Sequence, residues 1–290
     1  MILSFNFSIF PLFAVFTFLL GFLSINSLNN SSSSNFLLIG RDGADNRQGE
    51  RADTIILCNV NKTAKEITLI SIPRDSKVII PCGPNGNVYD KIAHSLYYGQ
   101  NKKNKEAETC VTSTVKKMFN INSLPYISIN FTGIRDIVNK VDGVEITSPF
   151  SFCQEGKDGK RYCFAKNTKV KVNGDAFLAF VRHRKTFIRG DFDRTLNQRI
   201  ALTALFDKIK DSSSFDKIKL GIYSLTKVRT NLHLGTITDY AKMKLSDYNI
   251  NSIMLSGSDI NSSPYYYKVD EKHLATLSAL LNDNWVFFNL

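Results

Sequence analysis

A chain of 290 residues with 43% hydrophobic and 22% charged side chains has enough apolar content for one large core or two smaller ones, so disorder is excluded as the default. Lysine and arginine outnumber aspartate and glutamate by 37 to 26, a formal surplus of +11, which points to an acidic partner: nucleic acid, phosphorylated lipid or an anionic polymer. The five cysteines include no Cys-x-x-Cys pair, and no histidine stands at zinc spacing, which argues against a zinc module.

From Ile2 to Ile25 no residue is charged. As a helix this stretch would reach about 36 Å, enough to cross a bilayer. A permanent signal anchor over 1–26 is the expectation, against a cleaved signal peptide or a buried core helix, because the small-x-small cleavage pattern is poor around Leu23 to Leu28. No Lys or Arg precedes the segment and the first one after it is Arg41, so the charge rule does not set its orientation. Residues 27–35, "SLNNSSSSN", offer nothing to bury and read as a polar tether, which leaves 36–290 as a single folded domain.

Three apolar stretches then read as strands: "NFLLIG" at Asn35 to Gly40, "TIILCNV" at Thr54 to Val60 and "EITLISI" at Glu66 to Ile72. The first two are apolar enough to be buried on both faces, and the short polar "NKTAK" makes the last two a hairpin. Helical patterns follow over 107–119 and 132–141, the second closed by "DG" before the strand "VEIT". "NGDAFLAFV" at Asn173 to Val181 is a short helix that delivers Arg182. Leu196, Ile200, Leu205 and Ile209 form an apolar stripe, with Ala201 and Ala204 beside it, so 194–209 is an amphipathic helix. In the tail, "SIMLSGSDI" reads as a strand and "EKHLATLSALLND" as a closing helix, while "PYYYKV" fits either surface or cleft. The order of elements is α/β, without an internal repeat and without a Walker or dinucleotide glycine loop.

Cys153 and Cys163 flank the polar turn "QEGKDGKRY", where a disulfide would staple a hairpin, and Cys82 with Cys110 would make a second pair. Four free thiols are the alternative. Cys58, inside "TIILCNV", reads as a buried free thiol.

Chemistry-bearing residues collect at the ends of these elements. Asp42 follows the first strand, Arg51 and Asp53 lead into the second, and Arg74 and Asp75 follow the third, with Asp90 and Lys91 further on. In open α/β sheets ligands bind where strands end, so the loops after the first and third strands can share a cleft, and Asp53 joins them if its strand runs antiparallel. The stretch "RHRKTFIRGDFDRTLNQR", from Arg182 to Arg199, concentrates arginine between two helices. Taken alone, a mixed charge run usually faces water.

The ordered set of G-R-D at Gly40 to Asp42, R-A-D-T at Arg51 to Thr54, S-I-P-R-D at Ser71 to Asp75, D-K-I at Asp90 to Ile92, N-G-D-A-F-L-A-F-V-R-H-R ending at Arg184, and G-D-F-D-R-x-x-x-Q at Gly190 to Gln198 resembles the LytR-CpsA-Psr family. The likeness covers about 36–210; each motif is weak by itself, and all of them in order behind an anchor are specific. The resemblance implies an extracytoplasmic phosphotransferase, bound to the membrane lipid by a single span, that moves a glycopolymer such as a teichoic acid or capsule chain from a polyprenyl pyrophosphate carrier onto peptidoglycan, with no nucleic acid partner. It implies a mixed central sheet sandwiched between helices, α-β-α, with an apolar tunnel for the prenyl chain.

On the matching positions the family's pattern makes Asp42 and Asp53 the ligands of magnesium or manganese. Arg51, Arg74, Arg182, Arg184, Arg194 and Gln198 become the pyrophosphate-binding set, with Lys91 among the substrate-binding residues. Asp191 becomes the catalytic-site carboxylate, orienting an arginine or assisting the incoming hydroxyl. Physical chemistry fits that assignment. Arginine's planar fork binds phosphate oxygens bidentately and keeps its charge. Arg182 and Arg184, two apart in an extended segment, point the same way, and Arg194 and Gln198, four apart, share a helix face. Magnesium takes one or two carboxylates and completes its shell with water and phosphate.

The bland readings stand beside these: Asp42 or Asp53 capping a turn or pairing with Arg51, Asp75 as the structural partner of Arg74, Lys91 holding a loop through Asp90. His94 and His183 have no carboxylate at readable spacing and are left out of the chemistry, and Tyr97 and Tyr98 read as core or tunnel wall. Asp193, Asn197 and Ala52 depart from the residues common at those places in the family, Gly, Arg and Ser, and leave donor and acceptor preference open. Two other functions share the features: a hydrolase of prenyl pyrophosphates, and a membrane-tethered binder of anionic polymer.

Overall fold

The structure, a computed structural model, describes residues 33–43, 49–101, 107–183, 223–232, 248–260 and 262–282, with single positions at 197, 200, 201, 204, 205, 207, 208 and 220. The anchor expected over 1–26, most of the tether, and the site residues Arg184, Asp191, Arg194 and Gln198 lie outside the described residues. Among the described residues no helix is long and apolar enough to cross a membrane. The domain expected over 36–290 resolves into two compact units, one built from 28–130, 229–232 and 246–290, the other containing 131–228 and 233–245.

The first unit is organised by a six-stranded mixed sheet. Its members are β1 (Ser33–Arg41), β2 (Ala52–Asn61), β3 (Glu66–Ser71), β6 (Tyr126–Asn130), β11 (Val228–Thr230) and β12 (Asn249–Met254), in the order β11-β6-β1-β2-β3-β12. β1, β2 and β3 run antiparallel to their chain neighbours, and β6 on β1 and β12 on β3 are the parallel additions. This is the mixed α/β architecture that the sequence predicts. Leu37, Ile39, Ile55, Leu57 and Ile70 enter one core, while Phe36, Leu38, Ile56, Cys58 and Leu69, one residue out of phase, are buried too. Burial on both faces is why these strands read as continuous apolar runs rather than alternating ones. Helices α1 (Ser95–Gln100), α2 (Ala107–Phe119) and α5 (Glu271–Leu281) surround that first core, which receives Leu96 from α1, Val111, Val115 and Phe119 from α2, and Leu277 and Leu281 from α5.

β1 starts at Ser33, inside the tract expected to be a tether. The reason is Asn35, whose Oδ1 accepts from Asn59 Nδ2 at 2.8 Å and whose Nδ2 donates to Leu281 O at 3.1 Å. Those polar side chains satisfy the sheet's margin rather than water. Two hairpins complete this unit, β4 (Lys77–Gly83) with β5 (Gly86–Lys91) and β13 (Gly257–Ile260) with β14 (Tyr266–Val269). The expected strand "SIMLSGSDI" is therefore divided between β12 and β13. A disulfide joins Cys82 of β4 to Cys110 of α2, and Cys58 is the buried free thiol, with its pKa raised well above the ordinary value by burial.

The second unit holds α3 (Phe131–Lys140), β7 (Val144–Thr147), β8 (Phe152–Glu155), β9 (Arg161–Phe164), β10 (Lys169–Val172) and α4 (Gly174–Arg182). α3 stops where expected: Asp142 and Gly143 take left-handed φ of 59° and 77°, and Gly143 N donates back to Val138 O at 2.9 Å. β7 pairs antiparallel with β10, and β8 with β9, where Cys153 faces Cys163 and the second disulfide closes the hairpin. Asn173 caps α4 by accepting from Ala176 N at 2.9 Å. Gly174 follows because a Cβ there would lie 2.4 Å from Arg135 O. Phe152, Phe164, Phe180 and His183 pack into one aromatic cluster, with His183 stacked on Phe152. Asn197, Ile200, Ala201, Ala204, Leu205, Asp207 and Lys208 are helical; Leu205 of the expected stripe and Ala201 beside it are buried, and Ile200 is partly buried.

Candidate functional site

The register of β1 against β2 slips at one place. Gly40 faces Thr54 and Arg41 faces Ala52, which leaves Asp53 as the extra residue of a bulge. A bulge bends the strand and re-aims a side chain. Gly40 permits the close approach, since a Cβ there would meet Thr54 Cβ at 2.9 Å. Asp53 Oδ1 receives Arg74 Nη1 at 2.6 Å. Arg74 reaches it from the loop after β3, which leaves the sheet at Ile72 and Pro73, where proline has no N–H to continue a ladder. The antiparallel pairing that Asp53 needs is present.

From that junction the charges alternate. Arg74 Nε stands 3.6 Å from Asp75 Oδ2, and Lys91 Nζ binds Asp75 Oδ1 at 2.7 Å. Next to Lys91, Asp90 Oδ1 accepts from Lys91 N at 2.7 Å, Tyr98 OH donates to Asp90 Oδ2 at 3.0 Å, and His94 Nδ1 lies 2.9 Å from the same oxygen. Burial pushes the Asp90 carboxyl up, but the hydrogen bonds from His94, Lys91 N and Tyr98 outweigh it and hold it below the ordinary carboxylate range. Asp53, Arg74, Asp75 and Lys91 thus form one connected, half-buried row.

Asp42 and Arg51 meet at the open end of the same β1–β2 pair. Asp42 Oδ1 accepts from Arg51 N at 2.8 Å, Asp42 N donates to Arg51 O at 3.1 Å, and the Arg51 side chain is exposed. Asp42 and Asp53 are hard oxygen donors of the kind magnesium takes. Among the described residues no three His, Cys, Asp or Glu side chains are grouped to hold a metal. Arg182 belongs to the other unit, at the end of α4, with its guanidinium 5.5 Å from the Phe131 ring centroid.

A second set of charges escaped the sequence reading. Arg41, 2% exposed, donates from Nη1 to Glu50 Oε2 at 2.9 Å, and its Nε lies 3.6 Å from Glu108 Oε1. Gln100 Oε1 accepts from Gly49 N and Glu50 N, and Gln100 Nε2 donates to Glu50 Oε2, so the backbone leading to Arg51 is held from α1. The available signal was Arg41 itself, a cation at the end of an apolar strand, which must find an acid when buried. Tyr265 and Tyr266, from the "PYYYKV" stretch left open between surface and cleft, have rings that flank Lys91.

The family model described as the LytR_cpsA_psr family matches residues 21–283. The polyisoprenyl-teichoic acid–peptidoglycan teichoic acid transferase TagV of Bacillus subtilis is 27% identical over 84% of this chain, and the chain spans 62% of that relative's length. Its crystal structure superposes with a TM-score of 0.65 at 25% identity, covering 90% of this chain and all of that one. TagU of Bacillus licheniformis, of the same transferase name, is 30% identical over 89% of this chain and 79% of its own length. A structure of TagT bound to LIIa-WTA matches with a TM-score of 0.61 at 28% identity, over 90% of this chain and 94% of that one.

Proposed function

The chain belongs to the LytR_cpsA_psr family, and on that premise we propose that it transfers a glycopolymer, teichoic-acid-like or capsule-like, from a polyprenyl pyrophosphate carrier to peptidoglycan. The observation that carries this reading is the Asp53–Arg74 junction: a carboxylate re-aimed by a bulge and a guanidinium from the next strand end, 2.6 Å apart, in a chain whose relatives bear transferase names. In this reading an acceptor hydroxyl attacks the phosphorus that carries the polymer, the bond from that phosphorus to the bridging oxygen breaks, and prenyl monophosphate leaves.

Phosphoryl transfer is catalysed chiefly by positioning and by stabilising charge on the departing oxygen. We assign that work to Arg51, Arg74 and Lys91 and, by the family's motifs, to Arg182, Arg184, Arg194 and Gln198. Asp191 is assigned to orienting an arginine or assisting the hydroxyl. Asp42 and Asp53 would hold magnesium or manganese, which neutralises phosphate charge when bound. Arg74 has a second duty, since its bond to Asp53 fixes the carboxylate's direction. Residues 1–26 are assigned as the membrane anchor. The two disulfides support an oxidising, extracytoplasmic location for the folded part.

The test is a product assay with labelled lipid-linked polymer, peptidoglycan and magnesium. Prenyl monophosphate formed together with labelled peptidoglycan is the expected result. Monophosphate without label in peptidoglycan means a hydrolase, and neither product means a binding protein.

A further inference from the structure

The tail of the chain contributes a feature that phosphate chemistry leaves unused. The β13–β14 hairpin joins the strand-end loop directly: Tyr267 N donates to Asp75 O at 2.9 Å, and Ser76 forms a β-bridge with Tyr267. That attachment sets two tyrosine rings against the row of charges. Lys91 Nζ, already bound to Asp75, lies 5.6 Å from the centroid of the Tyr265 ring and 5.8 Å from that of Tyr266, and Lys77 Nζ stands 5.1 Å from the Tyr266 ring. Tyr265 is 41% exposed, yet its hydroxyl donates to Asp259 Oδ1 at 2.6 Å, so a partly exposed ring is held in a fixed direction. That hydrogen bond, with burial, pushes the phenol up to about 12, so the ring stays neutral.

Three ligand types can be set against this patch. A phosphate asks for cations, and Lys91 is already assigned to the pyrophosphate, which leaves the tyrosine rings beside it without a role. An isoprenoid chain asks for a dry apolar wall, which Asp75, Lys91 and Asp259 deny. A pyranose presents an apolar C–H face with hydroxyl and amide groups around its edge, and it matches a rigid aromatic face ringed by hydrogen-bonding groups.

We propose that Tyr265, seconded by Tyr266, is a saccharide platform that holds a pyranose ring of the substrate beside the row running from Lys91 through Asp75 and Arg74 to Asp53. The idea of a substrate sugar rests on the transferase reading, and the sugar's source is either the donor, as the residue attached to the pyrophosphate, or the acceptor glycan. The shared chemistry is a pyranose ring.

The full-length chain in detergent is titrated calorimetrically with three probes: a short prenyl pyrophosphate, the same lipid carrying one N-acetylglucosamine, and the N-acetylglucosamine–N-acetylmuramic acid disaccharide. Tyr265→Ala is expected to weaken one or both sugar-bearing probes about tenfold, the worth of one stacked ring, while the bare lipid binds as before and Tyr265→Phe keeps most of the affinity. A loss confined to the glycosylated lipid assigns the donor sugar, and one confined to the disaccharide assigns the acceptor. Equal losses for bare and glycosylated lipid, no loss at all, or a parent protein that binds neither sugar probe overturns the platform. Failure of the transferase reading shows differently: the parent then binds neither lipid, and the disaccharide arm alone decides.

Discussion

Arg74 Nη1 lies 2.6 Å from Asp53 Oδ1, so the loop that leaves β3 is tied to the bulged residue of β2 by one charge-assisted hydrogen bond. Both side chains are about a quarter exposed, which places the pair where substrate can reach it and limits its own contribution to stability to about 1 kcal/mol or less. Asp53→Asn keeps an acceptor for Arg74 and removes the negative charge. Magnesium-dependent turnover is expected to fall by about two orders of magnitude. Binding of inorganic pyrophosphate without metal is expected to hold or tighten, because an adjacent negative charge has gone. Turnover over a magnesium series and calorimetry with pyrophosphate check both halves. Full turnover with an unchanged magnesium response would overturn the proposal that Asp53 holds a metal.

How much of this was legible depends on how locally each feature is encoded. The three sheet strands, α2, α3 with its Asp142–Gly143 stop, α4 and the Cys153–Cys163 hairpin are written in contiguous residues, and all of them stand in the structure. Asp53 and Arg74 were legible as chemistry, but their pairing depends on a one-residue slip in register that no periodicity announces. Glu50, Gln100 and Glu108 were not legible, because their function is to meet Arg41 and the backbone beside it from 9 to 67 residues away. The tether failed at its end for a similar reason. Asn35 looks solvated until Asn59 and the Leu281 carbonyl are brought to it.

The buried acids around Arg41 make a separate prediction. The side chains of Arg41 and Glu50 are each 1% exposed and that of Glu108 6%, and Arg229, 41% exposed, approaches the same Glu108 oxygen at 3.7 Å. Glu108→Ala removes one of two acids from a cation that cannot reach water. A loss of about 3 kcal/mol in urea unfolding is expected, against about 1 kcal/mol or less for Arg229→Ala, whose partner keeps Arg41. Equal costs for the two variants would mean that burial of Arg41 is not what sets the energy.

His183 gives a pH dependence with a definite sign. The ring is 2% exposed, stacks on Phe152 with centroids 4.2 Å apart, and places Nδ1 2.9 Å from Gln154 Oε1. Burial lowers its pKa from the ordinary value. Between the lowered value and about 6.5 the unfolded chain binds the extra proton, so the contribution is complete above about pH 6.5 and is lost as pH falls toward the folded value. His183→Phe keeps an aromatic ring on Phe152 and should remove up to about 1.4 kcal/mol per pH unit of that dependence. Urea midpoints of parent and variant at pH 7.5 and 5.5 measure it, and parallel pH slopes would count against the neutral buried ring.

The two disulfides should differ in what their removal costs, because stabilisation by a crosslink grows with the chain length it closes. Cys82 and Cys110 are 28 residues apart and join β4 to α2, while Cys153 and Cys163, 10 apart, close a hairpin whose strands already pair. Loop-closure entropy gives about 3–4 kcal/mol for the first and about 2.5–3 kcal/mol for the second. The real gap is expected to be wider than those figures. Without its bond the β8–β9 turn is still held by Gly156 N donating to Lys160 O at 2.8 Å and by the contact of Phe152 with Phe164, centroids 5.0 Å apart. Paired Cys→Ser variants at each bridge, unfolded in urea, measure the two costs separately. Addition of a reductant to the parent measures the two losses together without mutation. A larger loss from the hairpin bridge than from the 28-residue one would show that chain entropy is not the governing term.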